Sequence, residues 1–173
     1  MLNKVEPKLL FGTVLVILCI FARFIPVAPN FTPILAIALF SGAIFSNKRI
    51  ALLIPIIAMF ISDLVIGLHS TMFAVYLSCT IIAILGIKMK KINLKNVLIN
   101  SLAGAIIFFI ITNFAVWVAG WYGYTFEGLI NCYIAAIPFF RYTLVSIIAY
   151  GIILFGTYYF AEKYILSPSI SKQ

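Results

Sequence analysis

The sequence has few charged side chains and very few acidic ones. Only 9% of its 173 residues are charged, and 4 of them are Asp or Glu, whereas a soluble domain carries about 25% charged residues. Hydrophobic residues make up 65% of the chain, and the mean hydropathy is +1.20. These values exclude a soluble globular domain. They predict an integral membrane protein that forms one domain over residues 1–173.

Patterns for catalysis or metal binding are also missing. His69 is the single histidine, and we interpret it as a solvated loop residue. Cys19, Cys79 and Cys132 are widely spaced, form no CxxC pair and are interpreted as small buried hydrophobic residues. No HExxH sequence or Gly-rich phosphate loop occurs. The sequence therefore predicts no enzyme, no cofactor and no metal, and active transport would need a partner or an ion gradient.

The positive charge is distributed unevenly along the chain. Twelve basic and 4 acidic residues give a formal charge of +8. Most of the basic residues fall at the termini or in alternate connections between apolar runs: Lys4, Lys8, Lys48, Arg49, Lys88, Lys90, Lys91, Lys95, Lys163 and Lys172. This bias marks the cytoplasmic face of a membrane protein. It argues against a nucleic-acid partner and predicts contact with the lipid bilayer instead.

The apolar runs predict an all-α, polytopic protein with six transmembrane helices. We expect these helices at residues 8–25, 32–45, 50–68, 72–87, 97–120 and 142–164. Six spans place both termini in the cytoplasm. The second helix is short and is expected to tilt little or to pack inside protein, and Pro55 is expected to bend the third helix and free a carbonyl. Residues 121–140 are interpreted as the longest external connection, within which residues 129–137 could form a helix at the membrane surface.

Polar side chains gather in the outer half of these helices. Asp63 is the only acidic residue predicted within a span, and an ionisable group there costs a few kcal/mol or more unless it faces a cavity or a partner. Asn113, Trp117 and Trp121 follow one another at i, i+4 and i+8, which places them on one stripe. Arg141 begins the sixth helix. This asymmetry predicts an outward-facing pocket for a small molecule.

The two tryptophans suit a planar heterocyclic ligand, because stacking on an aromatic ring contributes about 1–3 kcal/mol. Asp63 or Arg141 would hold a polar or charged substituent of that ligand.

A second interpretation is a structural or assembly subunit that binds no ligand. Here Asp63 would form an internal ion pair with Arg23 or Arg141, and Asn113 would cross-link two helices. The small residues of the second helix, Ala38 and Gly42, would then pack against a partner span. Arg23, Arg141 and Trp121 also fit ordinary positions at the membrane interface.

Three consecutive segments carry a family resemblance: FIPVAPNFTP, PILAIALFSGAIF and ALLIPIIAMFISDLVIG. They resemble the substrate-binding S components of energy-coupling factor (ECF) transporters. They are still more similar to an uncharacterised group of small bacterial membrane proteins related to those components. The match covers about residues 23–86. Helix one departs from the family's Ala-x-x-x-Ala surface, having Gly12 and Ala22 as its small residues.

The resemblance implies a six-helix S-component-like bundle in the bacterial cytoplasmic (inner) membrane. Such a protein captures a vitamin-like micronutrient and docks on a transmembrane coupling protein that bears two ATPase subunits; a solitary or differently partnered transporter is the alternative. By resemblance, residues 26–33 would cover the pocket, and its wall would include Asn30, Asp63, Tyr76, Asn113, Trp117 and Arg141.

Overall fold

The computed structural model of the protein describes residues 7–25 and 28–166, and within these ranges the chain is helical without strands. Six α-helices follow one another: α1 (Pro7–Ala22), α2 (Ile34–Ile44), α3 (Lys48–Ile66), α4 (Met72–Lys88), α5 (Leu94–Val118) and α6 (Phe126–Ala161), which ends in a π-helical turn over Glu162–Leu166. The predicted all-α class is confirmed. The predictions for Lys4, Lys8, Cys19, Pro26 and Lys172 concern backbone or side chains outside this description.

The short helix α2 lies at the centre of the bundle. Every residue from Ile34 to Gly42 is buried, and α2 contacts all five other helices. A helix that is apolar on all sides is stable only when it is surrounded. Its 11 residues span about 16 Å at 1.5 Å per residue, roughly half the hydrocarbon thickness of a bilayer. Since protein covers it on every side, α2 does not need the length of a membrane span.

Two glycines bring the backbones of α2 and α4 into direct contact. A Cβ atom at Gly42 would lie 2.0 Å from the carbonyl oxygen of Ala83, and one at Gly86 would lie 2.2 Å from that of Leu39. Ala38 is also completely buried. The prediction that Ala38 and Gly42 form a surface for a partner span is therefore wrong, because the interior of the protein already uses that surface.

Pro55 lies inside α3, where it removes one helical hydrogen bond. A proline has no amide hydrogen, so the carbonyl oxygen of Ala51, four residues earlier, loses its usual donor. The hydroxyl of Ser41 on α2 donates to this oxygen at 2.9 Å. The carbonyl that the sequence predicted Pro55 would free is thus used to join α2 to α3.

Side-chain caps explain why three helices begin earlier than predicted. Asn47 accepts hydrogen bonds from the amides of Arg49 and Ile50 at the start of α3. Asn93 caps α5 in the same way, and Thr125 accepts from the amide of Gly128 at the start of α6. Each cap satisfies an amide that has no partner within the helix.

The predicted external connection over residues 121–140 is wrong for most of its length. Helix α6 begins at Phe126 and continues through Pro138 without a break. The apolar stretch 129–137, which the sequence suggested as a separate surface helix, is the first part of α6. At 36 residues this helix is about 54 Å long, and the connection between α5 and α6 shrinks to residues 119–125.

In the part of the chain that the structure describes, three helices are long and apolar enough to cross a membrane: Lys48–Ile66, Leu94–Val118 and Phe126–Tyr164. The helices Ile34–Ile44 and Met72–Lys88 and the segment Leu10–Ala22 are also apolar but shorter. This composition indicates a membrane protein.

Replacing Gly42 or Gly86 with alanine should destabilise the protein. The added methyl group would force the backbones of α2 and α4 apart, and overpacking of this kind costs about 1–3 kcal/mol. We expect a lower melting temperature by circular dichroism in detergent. Gly156→Ala is the matched control, because a Cβ there meets nothing within 4 Å; equal melting temperatures for all three variants would contradict the close contact.

Candidate ligand-binding site

A buried ion pair joins three segments of the chain. The Arg23 guanidinium donates to one carboxylate oxygen of Asp63 at 2.8 Å, and the Tyr76 hydroxyl donates to the other at 2.9 Å. The side chains of Asp63 and Arg23 are 2% and 13% exposed. A second guanidinium nitrogen of Arg23 contacts the Met59 sulfur. Both oxygens of the buried carboxylate are therefore hydrogen-bonded, as burial of a charge requires.

The ends of three helices place these groups together. Arg23 lies in the turn that follows α1, where its amide donates to the carbonyl of Ile20. Asp63 lies in the last turn of α3, four residues before Gly67, and Tyr76 lies near the start of α4. The ion pair thus fastens the end of α1 over the hairpin formed by α3 and α4.

A cavity of about 320 Å³ opens beside this ion pair. Its walls come from the α1–α2 connection, the α3–α4 turn, and the facing parts of α5 and α6. The polar wall residues are Arg23, Asn30, Thr32, His69, Thr71, Thr112, Asn113 and Thr143. Aromatic side chains cover the side formed by α5 and α6: Phe108, Phe109, Phe139 and Phe140. The cavity therefore combines an arginine, which is paired with Asp63, with an aromatic wall.

The polar groups of the wall retain hydrogen-bonding capacity. The Asn113 amide donates to the Phe109 carbonyl at 2.7 Å, and its side-chain oxygen has no partner among the described residues. The Thr112 hydroxyl donates to the Phe108 carbonyl at 2.7 Å, which leaves its oxygen as an acceptor. The Thr32 hydroxyl accepts from the Ile34 amide at 3.2 Å, which leaves its proton to donate. A bound molecule could thus find both donors and acceptors.

Two of the residues predicted from sequence line this cavity. Asn113 belongs to the α5 wall, and Asn30 belongs to the α1–α2 connection, where it has a left-handed backbone with φ of 61°. Asparagine tolerates this conformation better than most residues. Neither Asp63 nor Tyr76 lines the cavity. Asp63 is buried and paired with Arg23, and the Tyr76 hydroxyl donates its hydrogen bond to Asp63. Of the two arginines suggested as partners of Asp63, the structure selects Arg23.

Three other predicted binding residues lie outside the cavity. Trp117 donates its indole N–H to the Thr125 carbonyl at 3.2 Å and packs against Phe114. Trp121 is 72% exposed. Arg141 is exposed and lies over the Tyr142 ring, 4.7 Å from its centroid. The predictions that a ligand stacks on the two tryptophans and contacts Arg141 do not fit these positions, because none of the three residues lines the cavity.

The sequence predicted neither the aromatic wall nor the position of Arg23 in the cavity wall. Phe139 and Phe140 lie in the stretch interpreted as an external connection, so no helical face was assigned to them. The paired phenylalanines in α5 and α6 were a usable signal, since both doublets lie on the two helices that face each other. His69, interpreted as a solvated loop residue, is exposed, pairs with the Thr71 hydroxyl at 3.1 Å and also borders the cavity.

Asp63→Asn should lower stability strongly, because it leaves the Arg23 cation partly buried without a counter-charge. Removing one partner of a buried ion pair costs about 3–5 kcal/mol. We expect a melting temperature several degrees lower, and a milder loss in Arg23→Gln/Asp63→Asn, where no unpaired charge remains. Glu127→Gln, at an exposed acid, is the control; an effect of Asp63→Asn no larger than this control would refute the ion pair's structural role.

Comparison with known proteins gives a family and nothing more specific. No curated protein and no solved structure matches the chain. One family model matches residues 3–169, which is nearly the whole chain. The protein belongs to this family, which is described as a family of unknown function (DUF6580).

Proposed function

We propose that this protein is a membrane-embedded subunit that captures a small, water-soluble micronutrient, vitamin-like or heterocyclic, for uptake into the cell. The cavity beside Arg23 carries this proposal. Ligand pockets typically enclose about 300–1,000 Å³ and combine apolar walls with a few convergent polar groups. At about 320 Å³, with four phenylalanine rings and one arginine, the cavity is of this type and suits a molecule of about one ring system.

The ligand we propose has an anionic or strongly hydrogen-bond-accepting group and an apolar or aromatic body. Arg23 and His69 are the ionisable residues among those that line the cavity. The remaining N–H groups of Arg23 would bind the acceptor group, since a guanidinium has five donors. The aromatic body would lie against Phe109 and Phe140, whose rings are 5.0 Å apart between centroids. Phenylalanine rings thus replace the tryptophans in the interpretation of the ligand.

The topology we propose has six spans, with both termini in the cytoplasm of a bacterial cell and the cavity open to the outside of its inner membrane. Two observations support it. The cavity is bordered by the α1–α2 connection and the α3–α4 turn, which contain Asn30 and Thr71. Lys48 and Arg49 lie at the start of α3, and the basic run 88–95 extends from the end of α4 to the start of α5, as expected for a cytoplasmic face at the other ends of these helices.

Uptake by this arrangement needs an energy source, and we propose the partner that the resemblance implies, a transmembrane coupling protein with two ATPase subunits. The buried contact of α2 with α4 rules out Gly42 as its docking surface. The exposed face of α3 is a better candidate, because it presents large apolar side chains: Leu53, Ile57, Phe60, Leu64.

A structural or assembly subunit is the second candidate function. One observation favours it: Asp63 is completely engaged inside the protein by Arg23 and Tyr76, as that interpretation expects of an internal ion pair. The two functions differ in what the cavity does. A structural subunit keeps its membrane abundance and has no ligand, whereas a capture subunit loses uptake when the cavity wall is altered.

The experiment measures the melting temperature of the purified protein against a panel of vitamins, nucleobases and aromatic carboxylic acids. We expect at least one compound to stabilise the wild type. Asn113→Ala should weaken its binding about tenfold, which corresponds to the loss of roughly 1.4 kcal/mol from one hydrogen-bonded polar contact.

Asn100→Ala is the matched control, because Asn100 also lies on α5 and donates to the carbonyl four residues earlier, at 2.8 Å, yet does not line the cavity. Binding in this variant should equal that of the wild type. If no compound in the panel stabilises the wild type, or if Asn100→Ala weakens binding as much as Asn113→Ala does, the capture function is wrong.

A further inference from the structure

A second recess lies at the lysine-rich end of the bundle, between the start of α5 and the end of α6. Its volume is about 450 Å³. The walls are mainly apolar and come from two short runs of residues: Ile92, Leu94 and Val97 on one side, and Ile152, Phe155 and Tyr159 on the other. We call this recess the α5–α6 groove. It shares no residue with the cavity beside Arg23.

One wall residue of the groove, Gly156 on α6, has no side chain to fill the recess. A Cβ atom at Gly156 would meet nothing within 4 Å, so the space in front of it is open. The apolar side chains at the rim are largely exposed, with Leu94 64% and Tyr159 60% accessible. An open apolar recess of this kind, on a protein that carries membrane-length helices, offers a place for a hydrocarbon chain.

Lysines border the α5–α6 groove. Lys91 and Lys95 are exposed and stand directly beside the wall residues Ile92 and Leu94 in the chain. Among the described residues, neither lysine takes part in an ion pair. No acidic residue occurs in residues 88–97. On the other side of the groove, Glu162 begins the π-helical turn after α6, three positions beyond Tyr159. The rim of the groove on the α5 side is therefore positively charged.

Two asparagines hold this basic turn in a fixed shape. The Asn93 side chain accepts from the Asn96 amide at 2.8 Å, and the Asn96 side chain donates to the Lys91 carbonyl at 2.8 Å. Asn93 is itself a wall residue of the groove. These bonds fix the backbone of Lys91 beside the recess before any ligand arrives, so little backbone entropy would be lost on binding.

We propose that the α5–α6 groove binds an anionic phospholipid, with one acyl chain in the recess and the headgroup phosphate on Lys91 and Lys95. Charge complementarity selects this occupant, because basic groups beside an apolar recess match an acidic headgroup joined to a hydrocarbon chain. A free anion would satisfy the lysines and leave the apolar wall uncovered. This site does not depend on the ligand proposed for the cavity.

The test measures lipid retention by native mass spectrometry of the full-length protein. The protein is released from mixed micelles that contain equal amounts of dioleoylphosphatidylglycerol, which is anionic, and dioleoylphosphatidylcholine, which is zwitterionic. We expect the wild type to retain the anionic lipid preferentially. In Lys91→Gln/Lys95→Gln this preference should fall about tenfold, because each lysine near the surface contributes to headgroup attraction.

Two further variants locate the site. Gly156→Leu should reduce retention of the anionic lipid, since the new side chain fills the recess. Lys48→Gln/Arg49→Gln removes the same charge from the other basic turn and should keep the wild-type preference. Equal retention of the two lipids by the wild type would overturn the proposal. So would an equal loss in the Lys48→Gln/Arg49→Gln control, or wild-type retention in Gly156→Leu.

Discussion

A carboxylate buried among apolar helices has to be neutralised, and the arrangement of this protein depends on how Asp63 meets that requirement. Arg23 reaches it from the end of α1, and Tyr76 reaches it from α4. Arg23 lies 40 residues before Asp63 and Tyr76 lies 13 residues after it, so the ion pair fixes the relative positions of α1, α3 and α4 at one end of the bundle. Breaking it would leave a charge without a partner in a medium that tolerates it poorly.

The short central helix and the ion pair together leave room for the cavity. Because α2 begins only at Ile34 and ends after 11 residues, the helices around it extend beyond it. Arg23 and the α1–α2 connection close part of the space above α2, and the phenylalanines of α5 and α6 form the opposite wall. Close backbone contact at Gly42 and Gly86 keeps α2 centred. The cavity is thus a consequence of packing a short helix among long ones.

The sequence predicted the helical class, the six apolar segments and the cost of burying Asp63, because hydropathy and charge determine these directly. It could not choose between Arg23 and Arg141 as the partner of Asp63, since that choice depends on tertiary packing. The start of α6 was missed because the Thr125 cap was not recognised. Because residues 121–140 were interpreted as a connection, Phe139 and Phe140 were not placed on a helix. The aromatic contact with a ligand was therefore assigned to Trp117 and Trp121.

The proposed function requires that water from outside the cell reaches the cavity, and the labelling of single cysteines by a membrane-impermeant maleimide measures this access. In a background whose native cysteines are replaced by alanine, Thr112→Cys should react in intact cells. Ile110→Cys, on the exposed apolar side of the same helix, should stay unreactive, and Lys91→Cys should react only after permeabilisation. If Thr112→Cys also reacts only after permeabilisation, or reacts no faster than Ile110→Cys, the cavity is not open to the outside of the cell.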